Sequence, residues 1–162
     1  MISIQLGDFD AAAEYQALRD SGSGTGAIVT FTGLVRDNGD RPDVRALYLE
    51  HYPGMTEAVI EDVIQQAADR WDVREATVIH RIGRLELSDQ IVFVGVASAH
   101  RSDSFSACQF IMDALKTSAP FWKKEIMSEG EHWVEQKATD RQQASQWHGR
   151  ESELSLCKKN RP

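Results

Sequence analysis

The sequence predicts an α+β domain with a mostly antiparallel sheet and helices packed on it. Short segments rich in β-branched residues alternate with longer segments whose apolar residues recur at helical spacing. Their order along the 162 residues is α, β, β, α, β, β, α, β. This order is typical of an α+β fold, and a chain of this length is expected to form one domain.

The first half of the chain is predicted to contain a short helix, two strands and a long helix. The short helix covers residues 8–18, and the glycine-rich stretch after it ends it. Residues 27–32 and 44–52 are predicted as strands because they are rich in β-branched and aromatic residues. The long helix covers residues 56–71. Its apolar face consists of Val59, Ile60, Val63, Ile64 and Ala67.

The second half is predicted to contain two strands, a helix and a final strand. Residues 77–82 and 91–99 form the two strands, and a turn at Ser88-Asp89 favours a hairpin between them. The helix begins at Ser102 or Asp103, either of which could cap it, and ends before Pro120. The final strand covers residues 131–137.

Residues 1–146 are expected to form the folded domain. Residues 147–162 are polar and partly basic, which predicts a mobile C-terminal tail.

Composition argues against several classes of protein. The net charge of −7 is unlike the basic surface of a general nucleic-acid binder. The longest apolar run, residues 91–97, is far shorter than the roughly 20 residues that span a bilayer. The N-terminus does not resemble a secretory signal, and Cys108 and Cys157 match neither a disulfide framework nor a zinc site. A cytoplasmic protein without a nucleic-acid or membrane partner is expected.

Motifs for metals, nucleotides and serine nucleophiles are absent from the sequence. It contains no HExxH, CxxC, P-loop, GxGxxG or GxSxG pattern. Any catalysis would therefore use lysine, arginine and histidine side chains without a metal. Such side chains suit an anionic substrate and a reaction in which negative charge develops.

Two segments could bind an anion. Arg36 follows a predicted strand in the string FTGLVR, and its guanidinium suits phosphate or carboxylate. The alternative is a solvated loop residue. His100 and Arg101 lie where a strand gives way to a helix, and backbone N–H groups at a helix start favour anions. The alternative for the second segment is an ordinary capping turn.

A third segment, residues 116–125 (KTSAPFWKKE), combines lysines with aromatic residues. Lys116 falls in the last predicted helical turn, and Lys123 and Lys124 follow a Phe-Trp pair. A lysine in a basic, desolvated pocket can act as an acid, a base or a nucleophile. The alternative is a Phe-Trp pair that packs in the core beside solvated lysines.

Five strings, in one consistent order between about residues 26 and 137, closely resemble the large subunit family of molybdopterin synthase. The strings are VTFTGLVR (29–36), LEHYPGMT (49–56), VIHRIG (78–83), IVFVGVASAHR (91–101) and FIMDALKTSAPFWKK (110–124). The resemblance implies an α/β hammerhead-type fold. It also implies a homodimer at the centre of a heterotetramer.

The same resemblance implies a sulfur transfer in molybdenum cofactor biosynthesis. Each large subunit would bind a small ubiquitin-like (MoaD-like) sulfur-carrier subunit, whose C-terminal Gly-Gly tail carries a thiocarboxylate. Sulfur would pass to cyclic pyranopterin monophosphate and form the dithiolene of molybdopterin. The family needs no metal or organic cofactor for this step.

The resemblance also implies residue roles. Lys116 and Lys123 correspond to the two catalytic lysines. Arg36, His100 and Arg101 correspond to the substrate-binding group, and the last two would come from the neighbouring protomer.

Lys124 and Glu125 would line the same site as Lys123. Leu34 departs from the lysine that many relatives carry, and Lys137 stands where some relatives have arginine, so the resemblance gives neither a role. Two other functions stay open: a non-catalytic module that binds the phosphorylated ligand or the carrier tail, and a scaffold that only dimerises.

Overall fold

The computed structural model describes residues 1–37, 43–134 and 138–149. Within these residues the chain forms two four-stranded sheets, sheet A and sheet B, and four helices. The strands are β1 (Ile2–Gln5), β2 (Ala27–Leu34), β3 (Val44–His51), β4 (Val73–Arg81), β5 (Gly83–Glu86), β6 (Gln90–Ser98), β7 (Phe121–Met127) and β8 (Glu131–Trp133). The helices are α1 (Ala11–Asp20), α2 (Met55–Arg70), α3 (Arg101–Thr117) and α4 (Ala138–Gly149).

Sheet A, with strand order β1-β4-β6-β2, carries the main core. β6 pairs antiparallel with β4 and β2, whereas β1 pairs parallel with β4. Alternate side chains of β6 enter different clusters: Val94 and Val96 pack with residues of α2 and α3, and Phe93 packs with Leu18 of α1. Because both faces of β6 are covered, its sequence is nearly continuously apolar.

Sheet B, with strand order β5-β3-β7-β8, is antiparallel throughout. Its buried face carries Leu47 and Leu49 of β3 and Leu85 of β5. In the β3–β7 register, Glu125 lies opposite Leu47 and Lys123 lies opposite Leu49. Residues that are directly opposite share a face of the sheet, so Lys123 and Glu125 lie on this apolar face.

The predicted α+β class is confirmed, and the sheets are mostly antiparallel. The four predicted strands in the first two-thirds of the chain correspond to β2, β3, β4 and β6, and the two longer predicted helices correspond to α2 and α3. The first helix begins and ends later than predicted, at Ala11 and Asp20. Of the final predicted strand, residues 131–133 form β8, and residues 135–137 lie outside the described part of the chain.

The predicted hairpin between β4 and β6 is wrong. These strands are antiparallel neighbours, but β5 lies between them in the chain and pairs with β3 in sheet B. Gly83 has a φ of +76°, a conformation that L side chains rarely adopt, and it begins the strand that changes sheets. The apolar pattern of so short a strand was too brief to reveal it.

Three further elements, β1, β7 and α4, were not predicted from the sequence. The predicted tail begins at residue 147, but Trp147 lies within α4 and is only 4% exposed. It packs with Phe110 and Trp71. The folded part of the chain therefore extends through α4, and residues 150–162 lie outside the described residues.

None of the helices described here has both the length and the apolar character needed to cross a membrane.

Candidate active site

Lys116 and Lys123 lie on either side of the junction between α3 and β7. Lys116 belongs to the last turn of α3, and Lys123 is the third residue of β7, with only residues 118–120 between the two elements. Phe121, the first residue of β7, stacks on His80 of β4 with ring centroids 3.9 Å apart. This stacking holds the start of β7 against sheet A.

Lys116 forms an ion pair with the C-terminal helix. Its side chain is half-exposed, and its Nζ lies 3.5 Å from Oδ1 of Asp140. Each charge suits its position, because Lys116 lies in the last turn of α3 and Asp140 in the first turn of α4. Asp140 was missed from the sequence because α4 was not predicted. The sequence held one signal for this helix: Trp147, a large apolar residue in a polar segment, follows Asp140 by two helical turns.

Lys123 forms an ion pair with the buried carboxylate of Glu125. Lys123 Nζ is 4.0 Å from Oε1 of Glu125, two residues along the same face of β7. The Glu125 side chain is 0% exposed, whereas that of Lys123 is 40% exposed. The resemblance implied that Glu125 lines the substrate site, but in this chain the carboxylate is enclosed and only Lys123 faces outward.

Lys124 points to the opposite face of sheet B from Lys123, because side chains alternate along a strand. Its Nζ lies 2.6 Å from Oε2 of Glu131 and 5.3 Å from the ring centroids of both Tyr48 and Trp133. The hydrogen bond to Glu131, with the nearby negative charges, raises the pKa of Lys124 above its usual value. Within this protomer Lys123 and Lys124 therefore lie on opposite faces of sheet B, and a site that both residues line stays a prediction. Their opposite directions did not follow from the sequence, because β7 was not predicted as a strand.

His100 and Arg101 lie at the opposite end of α3 from Lys116. His100 is the N-cap residue of the helix, and its carbonyl oxygen accepts hydrogen bonds from the backbone N–H groups of Asp103 and Ser104. Its side chain makes no capping hydrogen bond, and both His100 and Arg101 are exposed. Fifteen residues of helix separate Arg101 from Lys116, which corresponds to about 22 Å along the axis. One protomer therefore does not bring these two basic pairs together.

Arg36 is exposed and lies two residues after the end of β2. The preceding residue, Val35, is buried with Leu47 and Leu49, which are the cross-strand neighbours of Glu125 and Lys123. The backbone at Arg36 is therefore adjacent to the face of sheet B that carries Lys123. Gly33, in β2, allows a close approach to β6, since a Cβ there would lie 2.8 Å from Cγ1 of Val92.

Among the described residues, no three or more His, Cys, Asp or Glu side chains are grouped so that they could hold a metal ion. The side chains of the described residues that could take part in catalysis or binding are Lys116 and Lys123, the buried Glu125, and His100 and Arg101 at the start of α3.

Comparison with known families identifies the chain. The family model described as MoaE protein matches residues 4–118, which is more than half of the sequence. The chain belongs to the MoaE protein family.

Relatives of this MoaE chain match it over most of its length. The molybdopterin synthase catalytic subunit of Vibrio cholerae is 51% identical over 146 residues, which cover 90% of this chain and 97% of the relative. The protein of the same name from Escherichia coli K12 is 52% identical over 139 residues, covering 86% and 92%. The solved MoaE protein from Burkholderia ambifaria is 46% identical, with a TM-score of 0.78 and coverage of 91% and 97%. The resemblance carried by the five strings is confirmed.

Proposed function

We propose that this MoaE chain is the catalytic subunit of a molybdopterin synthase. It transfers sulfur from the C-terminal thiocarboxylate of a small carrier subunit to cyclic pyranopterin monophosphate and forms the dithiolene of molybdopterin. The observation that supports this most directly is the pair of lysines flanking the α3–β7 junction, in a family whose relatives are named molybdopterin synthase catalytic subunits.

The charges of the reactants suit this site. The pterin carries a phosphate and the carrier tail ends in a thiocarboxylate, so both are anions. The chain has a net charge of −7 and would repel anions overall. The side chains of Arg36, Lys116 and Lys123 provide positive charge that can attract an anion locally. Lys116 assists the attack of the thiocarboxylate sulfur, and Lys123 stabilises developing charge or orients the carrier tail.

Glu125 acts through Lys123 rather than on the substrate. A carboxylate that is fully enclosed 4.0 Å beneath an ammonium group limits where that group can point. We assign Glu125 as a positioning residue for Lys123.

The complete site requires a second copy of this chain. His100 and Arg101 are exposed at the far end of α3, about 22 Å from Lys116 by helix length, so they cannot serve the same site within one protomer. A two-fold dimer in which the start of one α3 approaches the end of the other would bring them together. Such a dimer provides two equal sites.

The partner of the dimer is a small ubiquitin-like subunit with a Gly-Gly tail. The relatives' name, catalytic subunit, itself implies at least one other subunit. Two carriers on one dimer give a heterotetramer, and a biosynthetic role of this kind is expected in the cytoplasm.

Reconstitution tests the activity. The purified chain is mixed with thiocarboxylated carrier and the pterin precursor, and dithiolene product is measured. We expect turnover by the wild type and near-complete loss in Lys116→Ala and Lys123→Ala. Lys124→Ala is the matched control, since its side chain lies on the other face of sheet B, and it should retain activity. Binding of the precursor without product in the wild type would favour a non-catalytic binding module, and neither binding nor product would favour a scaffold.

Mixing two inactive variants tests the shared site. In random heterodimers of Lys116→Ala with Arg101→Ala, one site carries both changes and the other carries neither. Mixing should therefore restore about one quarter of wild-type activity, because half of the dimers are mixed and half of their sites are intact. A mixture as inactive as its components would contradict a site built from two protomers.

A further inference from the structure

The C-terminal helix is fixed to α3 by a buried aromatic residue. Trp147 lies 5.6 Å from the ring centroids of both Phe110 and Trp71, in edge-to-face contacts. Its Nε1–H donates a 2.9 Å hydrogen bond to Oδ2 of Asp113, a carboxylate that is itself buried. A charge-assisted hydrogen bond inside an aromatic cluster fixes both the position and the rotation of α4.

A second contact lies on the same faces of the two helices. Asp140 precedes Trp147 by seven residues, or two helical turns, and Lys116 follows Asp113 by three, so each pair shares a helix face. The chain directions are opposite, since the later residue of α4 meets the earlier residue of α3. Docking of Trp147 on Asp113 therefore also brings Asp140 to Lys116.

We propose that α4 serves as a positioning arm for the active site and that Asp140 is the positioning residue for Lys116. This rests on the proposed function, in which Lys116 takes part in sulfur transfer. Without the Asp140 contact, the long lysine side chain at this helix end would sample more rotamers. The Asp140 carboxylate, which is only 20% exposed, restricts the ammonium group to one region beside the α3–β7 junction.

Three variants test the proposal in the reconstituted assay. Asp140→Asn keeps the shape of the side chain and removes its charge, and Asp140→Glu restores the charge on a longer stem. Glu86→Gln is the matched control, because it also removes one negative charge and one exposed ion pair, with Arg84, on β5 at the edge of sheet B. A displacement of about 1 Å in a catalytic group can cost about 100-fold in rate. For a half-exposed pair we expect kcat to fall about tenfold in Asp140→Asn, with the KM for the pterin little changed.

A positioning role and a purely structural role of Asp140 differ in their effect on stability. For a positioning role, the thermal midpoint and the tryptophan fluorescence of Asp140→Asn should match the wild type, because Trp147 still holds α4. Asp140→Glu should then recover most of the lost rate. Wild-type kcat in Asp140→Asn would overturn the proposal. So would a rise in kcat, since Asp140 would then shield Lys116 rather than position it.

A measurement without turnover separates this proposal from the proposed function. Trace acetylation followed by peptide mass spectrometry reports the accessibility of each lysine. Loss of the ion pair should increase labelling of Lys116 in Asp140→Asn, while labelling of Lys124 stays constant. Unchanged labelling would refute the positioning contact even if the wild type is active. A wild type that makes no product would instead refute the proposed function, and with it a catalytic meaning for the contact.

Discussion

Truncation of Trp147 should loosen α4 and destabilise the domain. The side chain is buried among Trp71 and Phe110, and replacing a buried tryptophan with alanine typically costs about 3–5 kcal/mol. Trp147→Phe keeps an aromatic ring but loses the donor to Asp113, and a hydrogen bond to a charged group contributes about 1.5–3 kcal/mol. For a chain of this size, 1 kcal/mol corresponds to about 2–4 °C in the melting temperature.

We therefore expect Tm to fall by roughly 6–20 °C in Trp147→Ala and by a smaller amount in Trp147→Phe. Circular dichroism measures the midpoint, and hydrogen exchange reports whether the amides of α4 lose protection first. Trp133→Phe is the control, because Trp133 is about half-exposed on β8. Trp147→Ala should also lower kcat, since α4 carries Asp140. A variant with wild-type Tm and wild-type protection of α4 would refute the assignment of Trp147 as the anchor of this helix.

Three further predictions follow from buried groups. Burial lowers the pKa of His80 to about 4 in the folded protein, below the 6.5 of the unfolded chain, so its contribution to stability is complete above pH 6.5 and is lost as the pH falls towards 4. This loss is about 2 kcal/mol at pH 5, and urea unfolding of His80→Gln should depend correspondingly less on pH between 7.5 and 5. Burial raises the pKa of the Cys108 thiol to about 11, so in a Cys157→Ser background the folded protein should react with Ellman's reagent at pH 8 far more slowly than the urea-unfolded protein. Glu125→Gln should lower kcat about tenfold, because Lys123 loses the charge that positions it. Tm should not fall, because the Lys123 side chain is 40% exposed to solvent and a neutral amide is easier to bury than a carboxylate. A large fall in Tm would show that the ion pair is structural.

Local patterns were enough for α2, α3 and the three longer strands of sheet A, β2, β4 and β6. α2 and α3 have long apolar stripes, and β6 is a continuous apolar run, so their positions followed from periodicity. β1 and β5 have four residues each, too few to establish a period. α4 is polar over most of its length, and its burial depends on Trp147 alone among its large apolar residues.

The sequence identified the residues of the candidate site but not which of them share a face of the sheet. The strings around Lys116 and Lys123 identified both lysines, because the residue types and their order are unusual. Lys124 was grouped with them on sequence adjacency, but adjacent residues on a strand face opposite sides. Glu125 was assigned to the substrate surface, yet the β3–β7 register turns it towards Leu47 and encloses it.

The sequence by itself determined the family, the α+β class and the identities of the basic residues, since these are carried by residue types, their order and their local spacing. Tertiary structure alone decided which of these residues share a face and which acidic side chains hold them. The physical reason is that the pairs Lys116–Asp140 and Asp113–Trp147 join positions that are 24 and 34 residues apart, and such contacts exist only after two helices have docked. The same long α3 that fixes Lys116 at one end carries His100 and Arg101 away at the other, a separation that no local pattern reveals.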